Sequence, residues 1–301
     1  MTNKAHKLGR RAVLRNGALL LTGSALPSSN WDALFATELS REAVVRGGMI
    51  TDLHFADKPP TGSRHYRDTP KKLAEAAQEI TASKPHFVVE LGDFIDAADD
   101  VATEKKYLRQ INEAFTKIPA DKHYVLGNHC VYSLTKTEFL AGVKKTKSYY
   151  SFDVEDVHFI VLDSCFRSDG EPYGRKNFVW TDPNIPAAEV AWLKLDLAAT
   201  TRKTIVFAHQ RLDVGSPYGV KNAAEIRSIF AKSDNVVAVF QGHSHHNDYK
   251  EIDGVHYCTL VAMVEGAGVE NNGYSTLEVD AAGNVRLQGF RKQKHHAWLR
   301  K

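Results

Sequence analysis

The sequence predicts an α/β fold, because short apolar, β-rich runs alternate with helical patterns over the first two thirds of the chain. Such alternation is typical of βαβ units, in which the strands are parallel. The last strand runs follow one another without helical patterns between them, so we expect antiparallel pairing there. The chain has 301 residues and shows no internal repeat or low-complexity linker, and we expect one large domain.

The predicted elements follow from run length and residue type. Strands are predicted at residues 44–50, 86–91, 123–126, 158–162, 204–208, 236–240, 255–263, 274–279 and 285–290. Helices are predicted at residues 70–82, 100–117, 134–143, 186–199 and 221–232. Residues 164–185 are rich in Gly, Pro and aromatic side chains and show no period, which is typical of a functional or disordered loop.

The composition is that of a globular protein, with 43% hydrophobic and 25% charged residues. The formal net charge is +3, but residues 1–30 contain five basic and no acidic residues, so the rest of the chain carries about −2. We therefore expect no general binding of nucleic acid. The basic residues at 291–301 are expected to form a solvated tail. The three cysteines match no zinc motif, and Cys165 and Cys258 are expected to fill the core.

The N-terminus resembles a twin-arginine export signal. Arg10 and Arg11 precede a short apolar run at residues 18–26, and Pro27 follows it. A membrane-spanning helix would need about 20 apolar residues, so no stable membrane insertion is expected. An amphipathic N-terminal helix is the alternative. We predict a signal at residues 1–30 that engages the twin-arginine export machinery, a single domain at residues 31–301, and a periplasmic location.

Five polar motifs follow predicted strands, and together they predict a metal site. The motifs are Asp52-Leu53-His54, Gly92-Asp93-Phe94-Ile95-Asp96, Gly127-Asn128-His129, His209, and Gly242-His243-Ser244-His245. In open α/β sheets, ligands bind beyond the carboxyl ends of the strands. Imidazole and carboxylate suit Mn, Fe and Zn, and no thiolate belongs to the set. Asp52-Leu53-His54 or Gly127-Asn128-His129 alone is a weak signal and Gly242-His243-Ser244-His245 alone a moderate one, but five motifs in this order are hard to attribute to chance.

In this order, the motifs resemble those of the calcineurin-like metallophosphoesterases, over about residues 44–290. The resemblance implies a four-layer αββα sandwich of two mixed β-sheets flanked by helices, with two divalent metal ions at its edge. It implies that Asp52, His54, Asp93 and His245 hold one metal. Asp93 would bridge to the second, held also by Asn128, His209 and His243. His129 would contact the phosphate and protonate the leaving oxygen.

The chain departs from the family pattern at Cys130, where the family usually has an acid that supports the histidine. The loss of that acid is expected to alter the basicity of His129 but to leave every metal ligand in place. Asp96 stands where purple acid phosphatases carry a tyrosine ligand, which argues against that branch.

Further segments resemble the manganese-dependent ADP-ribose/CDP-alcohol diphosphatase branch. They are residues 55–57, 64–67, 149–152, 161–163, 254–256 and 264–266, with Tyr132 beside the third motif. That branch commonly has Gln at the position of His54, so the match is incomplete.

The expected function is that of a dimetal phosphohydrolase in which a metal-bound hydroxide attacks phosphorus. The substrate would be a small phosphate compound, namely a nucleotide derivative with a phosphodiester or pyrophosphate bond. A phosphomonoesterase or cyclic-nucleotide phosphodiesterase is the alternative, and a non-catalytic metal-binding scaffold is a minor one. Arg64 and Arg67 are candidates to bind a second phosphate, or form a solvated basic loop.

Two further groups of residues are open to two interpretations. Phe166, Tyr173, Phe178 and Trp180 in the long loop either stack on a base or fold the loop onto the core. Arg211 either reaches the phosphate or forms a surface ion pair. The histidines outside the motifs, His86, His123, His158 and His256, are expected to be structural.

Overall fold

A computed structural model of the chain describes residues 11–15, 18–22, 45–215 and 217–299, which belong to two separate units. In the first unit, β1 (Arg11–Arg15) and β2 (Ala18–Thr22) pair in antiparallel register. An amphipathic helix is therefore not what these residues form. The rest of the predicted export signal lies outside the described residues.

The second unit contains two six-stranded mixed sheets and five α-helices among its described residues. Its strands are β3 (Val45–Ile50), β4 (Phe87–Glu90), β5 (Asp121–Tyr124), β6 (Tyr150–Val154), β7 (Val157–Val161), β8 (Lys203–Phe207), β9 (Val236–Gln241), β10 (Asp248–Ile252), β11 (Val255–Thr259), β12 (Gly273–Val279), β13 (Val285–Arg291) and β14 (His296–Trp298). Its helices are α1 (Thr69–Ala82), α2 (Val101–Phe115), α3 (Lys136–Gly142), α4 (Ala187–Ala198) and α5 (Ala223–Lys232).

The two sheets combine parallel and antiparallel strands. Sheet I has the order β14-β13-β12-β3-β4-β5, and β3, β4 and β5 are parallel. Sheet II has the order β10-β11-β9-β8-β7-β6, and β7, β8, β9 and β11 are parallel. The predicted antiparallel pairing is confirmed for β12 and β13, but β11 pairs with β9 in parallel.

Three apolar clusters separate four layers. One lies between the sheets and includes Phe87 of sheet I and Phe159 and Phe207 of sheet II. Val88, the next residue after Phe87, faces the opposite way into a cluster with α1, α2 and α3. The third cluster packs α4 and α5 against sheet II. The predicted αββα sandwich is therefore confirmed.

Among its described residues, the second unit forms three strands that the apolar pattern did not indicate. β6 and β10 are edge strands with few fully buried side chains, so their pattern lacks a strong apolar period. The basic tail was expected to be solvated, but β14 pairs with β13 and its Trp298 is buried. Trp298 stacks on His256 with ring centroids 4.7 Å apart, so burial of one aromatic ring orders this end. No helix of the described residues combines the length and apolarity that a membrane span requires.

Candidate metal centre

Five strand ends meet at one edge of the sandwich. Asp52 and His54 follow β3, Asp93 follows β4, and Asn128 and His129 follow β5, while His209 follows β8 and His243 and His245 follow β9. The ends of the two sheets are joined by hydrogen bonds. The His243 amide donates to Asp52 Oδ2 at 3.1 Å, and His209 Nδ1 donates to the Leu91 carbonyl at 2.9 Å. The structure thus brings all eight predicted residues of the motifs together.

The backbone is strained at five of these residues. Asp52, His54, Asp93, His243 and His245 have φ angles between 45° and 69°, in the left-handed region. Each such conformation costs a non-glycine residue about 1–3 kcal/mol, and strain of this kind concentrates at functional sites. The surrounding fold therefore holds these side chains in directions that relaxed strand ends would not give.

Glycines allow the strand ends to approach closely. At Gly127, an added Cβ would lie less than 3.0 Å from the Asp93 backbone and carboxylate. At Gly92, whose φ is 103°, it would lie less than 3.0 Å from the His209 ring. Gly127 is required for close approach and not for a sharp turn, whereas Gly92 meets both demands.

The side chains form three clusters of possible metal ligands among the described residues. The clusters are Asp52-His54-His245, His54-Asp93-His129 and Asp93-His209-His243, and in each the ligand atoms lie within 4.8 Å of one another. Asp93 joins them, because its Oδ2 lies 3.5 Å from His54 Nε2 and 3.1 Å from His209 Nε2. The Asp93 carboxylate is thus shared by the cluster that contains His54 and the cluster that contains His209 and His243. These two clusters mark the two ends of the site.

Several polar atoms of these clusters are better suited to bind a cation than to bind one another. Asp52 Oδ1, Asn128 Oδ1, His209 Nε2 and His243 Nε2 are buried and make no hydrogen bond to a described residue. A buried polar atom without a partner costs about 1–3 kcal/mol. Oxygen and imidazole nitrogen atoms are suitable ligands for divalent transition metals. The donor set therefore fits divalent cations at both ends of the site.

The tautomers of His54 and His245 also suit the binding of a cation. Their Nδ1 atoms face the carboxylates of Asp96 and Glu265 at 3.1 and 2.6 Å, so Nδ1 is the protonated nitrogen of each neutral ring. Their Nε2 atoms, which then carry lone pairs, face each other at 3.2 Å. Two lone pairs at this distance repel each other unless a proton or a cation lies between them.

The carboxylates and histidines shift one another's pKa. Burial lowers the pKa of His245, but the charge of Asp52 and hydrogen bonds to Asp52 and Glu265 outweigh it and raise that pKa to about 9. Burial and the charge of His209 lower the pKa of His243 to about 3. Burial raises the pKa of Asp52, but His245 and His54 outweigh it and hold that pKa well below its usual range. The carboxylate therefore stays ionised and attracts cations.

Asp96 orients two of the histidines, a role that the sequence did not reveal. Its Oδ1 lies 2.5 Å from His129 Nδ1 and 3.1 Å from His54 Nδ1, and its Oδ2 pairs with Lys58. Cys130 is buried, and its sulfur accepts a hydrogen bond from the Phe94 amide. Asp96 therefore gives His129 an acidic partner, although Cys130 stands where the family usually has an acid.

Lys72 and Glu265 support the site from a segment distant in sequence. Glu265 contacts His245 at 2.6 Å. Lys72 of α1 is fully buried, and its Nζ donates to the carbonyls of Met263, Glu265 and Gly266 at 2.7–2.8 Å. Lys72 thus fixes the segment that presents Glu265 to His245. A lysine among the apolar positions of α1 was a visible signal of this role.

A family model described as "Calcineurin-like phosphoesterase" matches residues 48–247, a span that contains every motif of the site. The chain belongs to this family. As a member, it is a metal-dependent phosphohydrolase that uses two divalent metal ions.

Curated relatives and solved structures agree with this assignment. A manganese-dependent ADP-ribose/CDP-alcohol diphosphatase of Oryza sativa subsp. japonica is 25% identical over 75% of this chain and 85% of the relative. The Arabidopsis thaliana protein of the same name is 24% identical over 83% of this chain and 97% of the relative. A dimetal phosphatase from Danio rerio has a similar fold, with a TM-score of 0.74 at 17% identity over 84% of this chain and 98% of that structure.

Four of the seven predicted metal ligands of the phosphoesterase line a cavity of about 440 Å³. The cavity is lined by Arg64, Asp93, Asn128, His129, Phe178, Trp180, Tyr218, His243 and His245. A slightly larger cavity of about 490 Å³ lies beside α4 and α5, but it contains none of the predicted ligands. The presence of predicted metal ligands in its lining, rather than its volume, distinguishes the first cavity from the second.

The two arginines predicted to bind substrate differ in position. Arg64 lines the cavity, and its backbone pairs with that of Glu265. Arg67 is absent from the lining, and its exposed guanidinium donates to Asp57 at 2.8 Å. Arg211 is buried in ion pairs with Asp213 and Asp248, so an ion pair, though not a surface one, is its observed role.

The aromatic residues of the long loop divide between the two interpretations. Tyr173 is buried, and Phe178 packs against Tyr132 and Tyr173. The ammonium nitrogen of Lys136 lies over the Phe166 ring, 3.1 Å from the ring centroid. Trp180 is 45% exposed and lines the cavity. Most of these rings therefore hold the loop in place, while Phe178 and Trp180 also line the cavity.

Proposed function

We propose that this phosphoesterase hydrolyses the pyrophosphate bond of a nucleotide derivative such as ADP-ribose or a CDP-alcohol. The observation that carries the proposal is a single cavity that contains both ends of the Asp93-linked site and, beside them, the cationic Arg64. A pyrophosphate has two charged phosphoryl groups, and the site offers a binding partner for each. The names of the curated relatives, manganese-dependent ADP-ribose/CDP-alcohol diphosphatases, support this assignment.

The proposed ligand roles follow the clusters. Asp52, His54, Asp93 and His245 would hold the first ion, and Asp93, Asn128, His209 and His243 the second. The bound ions supply charge neutralisation at the phosphoryl oxygens and lower the pKa of water, so that no protein nucleophile is needed. The chain itself fixes the ligand directions through its strained backbone and through Asp96 and Glu265.

His129 is the proposed proton donor to the leaving oxygen. Its Nδ1 faces Asp96, so Nε2 is the nitrogen left for the cavity that the ring lines. The imidazoles of His209, His243 and His245 are less available because the proposed metal coordination would occupy them. Arg64 would bind the phosphate that is not attacked, through hydrogen bonds to its oxygens.

Product analysis tests the proposed activity. Mn²⁺-loaded protein would be incubated with ADP-ribose, AMP, cyclic AMP and a chromogenic diester. We expect AMP and ribose 5-phosphate from ADP-ribose, with much slower turnover of AMP and cyclic AMP. Cleavage of the diester without turnover of ADP-ribose would contradict the substrate assignment. The assignment as a phosphohydrolase would still hold. Preferred turnover of AMP or cyclic AMP would favour the alternative activities.

We also infer that residues 1–30 direct twin-arginine export and that residues 31–301 form one domain in the periplasm. The support is Arg10 and Arg11 before the short apolar run at residues 18–26. The test is the location of a folded reporter fused to residues 1–30, with R10K/R11K as the matched control. Export of the first fusion and retention of the second are expected. Equal location of both would contradict the inference.

A further inference from the structure

Two large aromatic rings remain half-exposed at the edge of the cavity. Trp180 is 45% exposed and Tyr218 is 42% exposed, and their ring centroids are 5.7 Å apart. Both residues line the cavity. An aromatic ring that only packs in the core is expected to be buried, as Tyr173 is in the loop that also contains Trp180. We call Trp180 and Tyr218 the aromatic ledge.

The backbone around each ring of the ledge is anchored, although the rings are exposed. The Tyr173 hydroxyl and the Asp182 amide both donate to the Val179 carbonyl at 2.8 Å, next to Trp180. The Arg211 amide donates to the Tyr218 carbonyl at 3.1 Å, and the Val220 amide donates to the Arg211 carbonyl at 2.9 Å. A surface fixed in advance in this way loses little conformational entropy when a ligand binds.

The ledge and Arg64 lie at opposite ends of the metal site. The Trp180 and Tyr218 rings are 6.5 and 5.8 Å from the His243 ring, which belongs to the second cluster. Arg64 pairs through its backbone with Glu265, whose carboxylate holds His245 of the first cluster. The cavity therefore has an aromatic end and a cationic end, with the shared Asp93 between them.

We propose that the aromatic ledge is a stacking surface for the planar base of the substrate. The inference rests on the proposed function, because the pyrophosphate must lie at the metal clusters for the base to reach the ledge. It assigns an orientation to the substrate, with the base on the His243 side and the distal phosphate at Arg64. Stacking accepts any planar ring, so the ledge selects for a base without selecting strongly among bases.

Ligand binding tests the ledge without requiring turnover. Trp180 is one of four tryptophans, so its fluorescence can be assigned by comparison with W180F. In the Mn²⁺-loaded protein, AMP is expected to quench tryptophan fluorescence, and ribose 5-phosphate, which has no base, is not. The AMP signal is expected to disappear in W180F. Equal quenching by both ligands, or an unchanged AMP signal in W180F, would overturn the proposal.

Kinetics provide a second test. Alanine at Trp180 or Tyr218 is expected to raise the KM for ADP-ribose about tenfold or more, and to raise the KM for methyl diphosphate, which has no base, much less. W180F should retain most of the affinity because it keeps a ring. Y249A is the matched control, since Tyr249 is 37% exposed on β10 and does not line the cavity. A wild-type KM in W180A and Y218A would overturn the proposal.

The two inferences fail in different ways. If ADP-ribose is not cleaved but AMP still quenches Trp180 fluorescence, the ledge stands and the proposed reaction is wrong. If ADP-ribose is cleaved but AMP gives no Trp180-dependent signal, the reaction stands and the ledge is wrong.

Discussion

At the scale of single residues, the main feature of the site is that Asp96 orients two histidines with different proposed tasks. One of its oxygens contacts both His54, a proposed metal ligand, and His129, the proposed proton donor. Burial raises the pKa of Asp96, but hydrogen bonds from His129 and His54 outweigh it and hold that pKa well below its usual range. Asp96 therefore remains an anion that both rings can face.

Variants of Asp96 and His129 should separate proton transfer from metal binding. H129A is expected to lower kcat by about 10²–10⁴-fold while the protein keeps its metal, because only the proposed proton donor is lost. D96N should lower kcat and also weaken metal binding by about 10–100-fold, because it releases His54. Metal content and kcat measured on the same samples check both. D57N, at an exposed aspartate, is the control. Near-wild-type turnover of H129A would contradict its role.

At the scale of secondary-structure elements, α1 supports the site through Lys72, which binds three carbonyls of the 263–266 segment. K72M keeps the length of the side chain but removes the donors, so three buried carbonyls lose their partner. We expect weaker Mn²⁺ binding by about 10–100-fold, because Glu265 would no longer be held against His245. K71M, at an exposed position of the same helix, should bind Mn²⁺ like the wild type. Equal affinity of K72M and K71M would show that Lys72 does not position Glu265.

Strand β5 carries a pH-sensitive contribution to stability that is separate from the metal ligands. His123 stacks on Phe152 with ring centroids 3.6 Å apart, and burial lowers its pKa from 6.5 to about 3. The unfolded chain binds a proton near pH 6.5, whereas the folded protein does so only near pH 3. The contribution of neutral His123 is therefore fully present above pH 6.5 and is lost as the pH falls towards 3.

Replacement of His123 should reduce this pH dependence. Between pH 7 and pH 5, the wild type should lose about 1–2 kcal/mol more unfolding free energy than H123F, in which the ring cannot take up a proton. Urea unfolding of both proteins at the two pH values, under the same metal conditions, measures the difference. An equal loss in the two proteins would mean that His123 is already protonated in the fold or is not titrating.

At the scale of the whole molecule, the sequence predicted the sandwich and the grouping of the motifs because strand ends impose their arrangement. Asp52, Asp93 and His209 each follow a buried strand, and parallel neighbours deliver such residues to one edge. The supporting contacts were not predictable in the same way. Lys72 meets Glu265, and His245 meets His54, across more than 190 residues of sequence. The apolar face of α1 marks Lys72 as unusual, but no local pattern identifies the distant residues that these side chains contact.

The departures from the sequence prediction have the same origin. Cys130 replaces the acid that usually supports the histidine, and the contact of Asp96 with His129 from the preceding motif was not anticipated. The basic tail suggested a solvated end, but Trp298 is buried beside Phe240 of sheet II. In both cases a single tertiary contact, which cannot be read from composition, decided the outcome.

The central claim is that one carboxylate, Asp93, joins two metal ions in a single site. Mn²⁺ titration of the metal-free protein, followed by EPR spectroscopy, tests it most directly. The structure predicts two Mn²⁺ ions per chain with an exchange-coupled spectrum, and in D93A fewer bound ions with an uncoupled spectrum and no hydrolysis. One uncoupled Mn²⁺ ion in the saturated wild-type protein, or an unchanged spectrum in D93A, would contradict the claim.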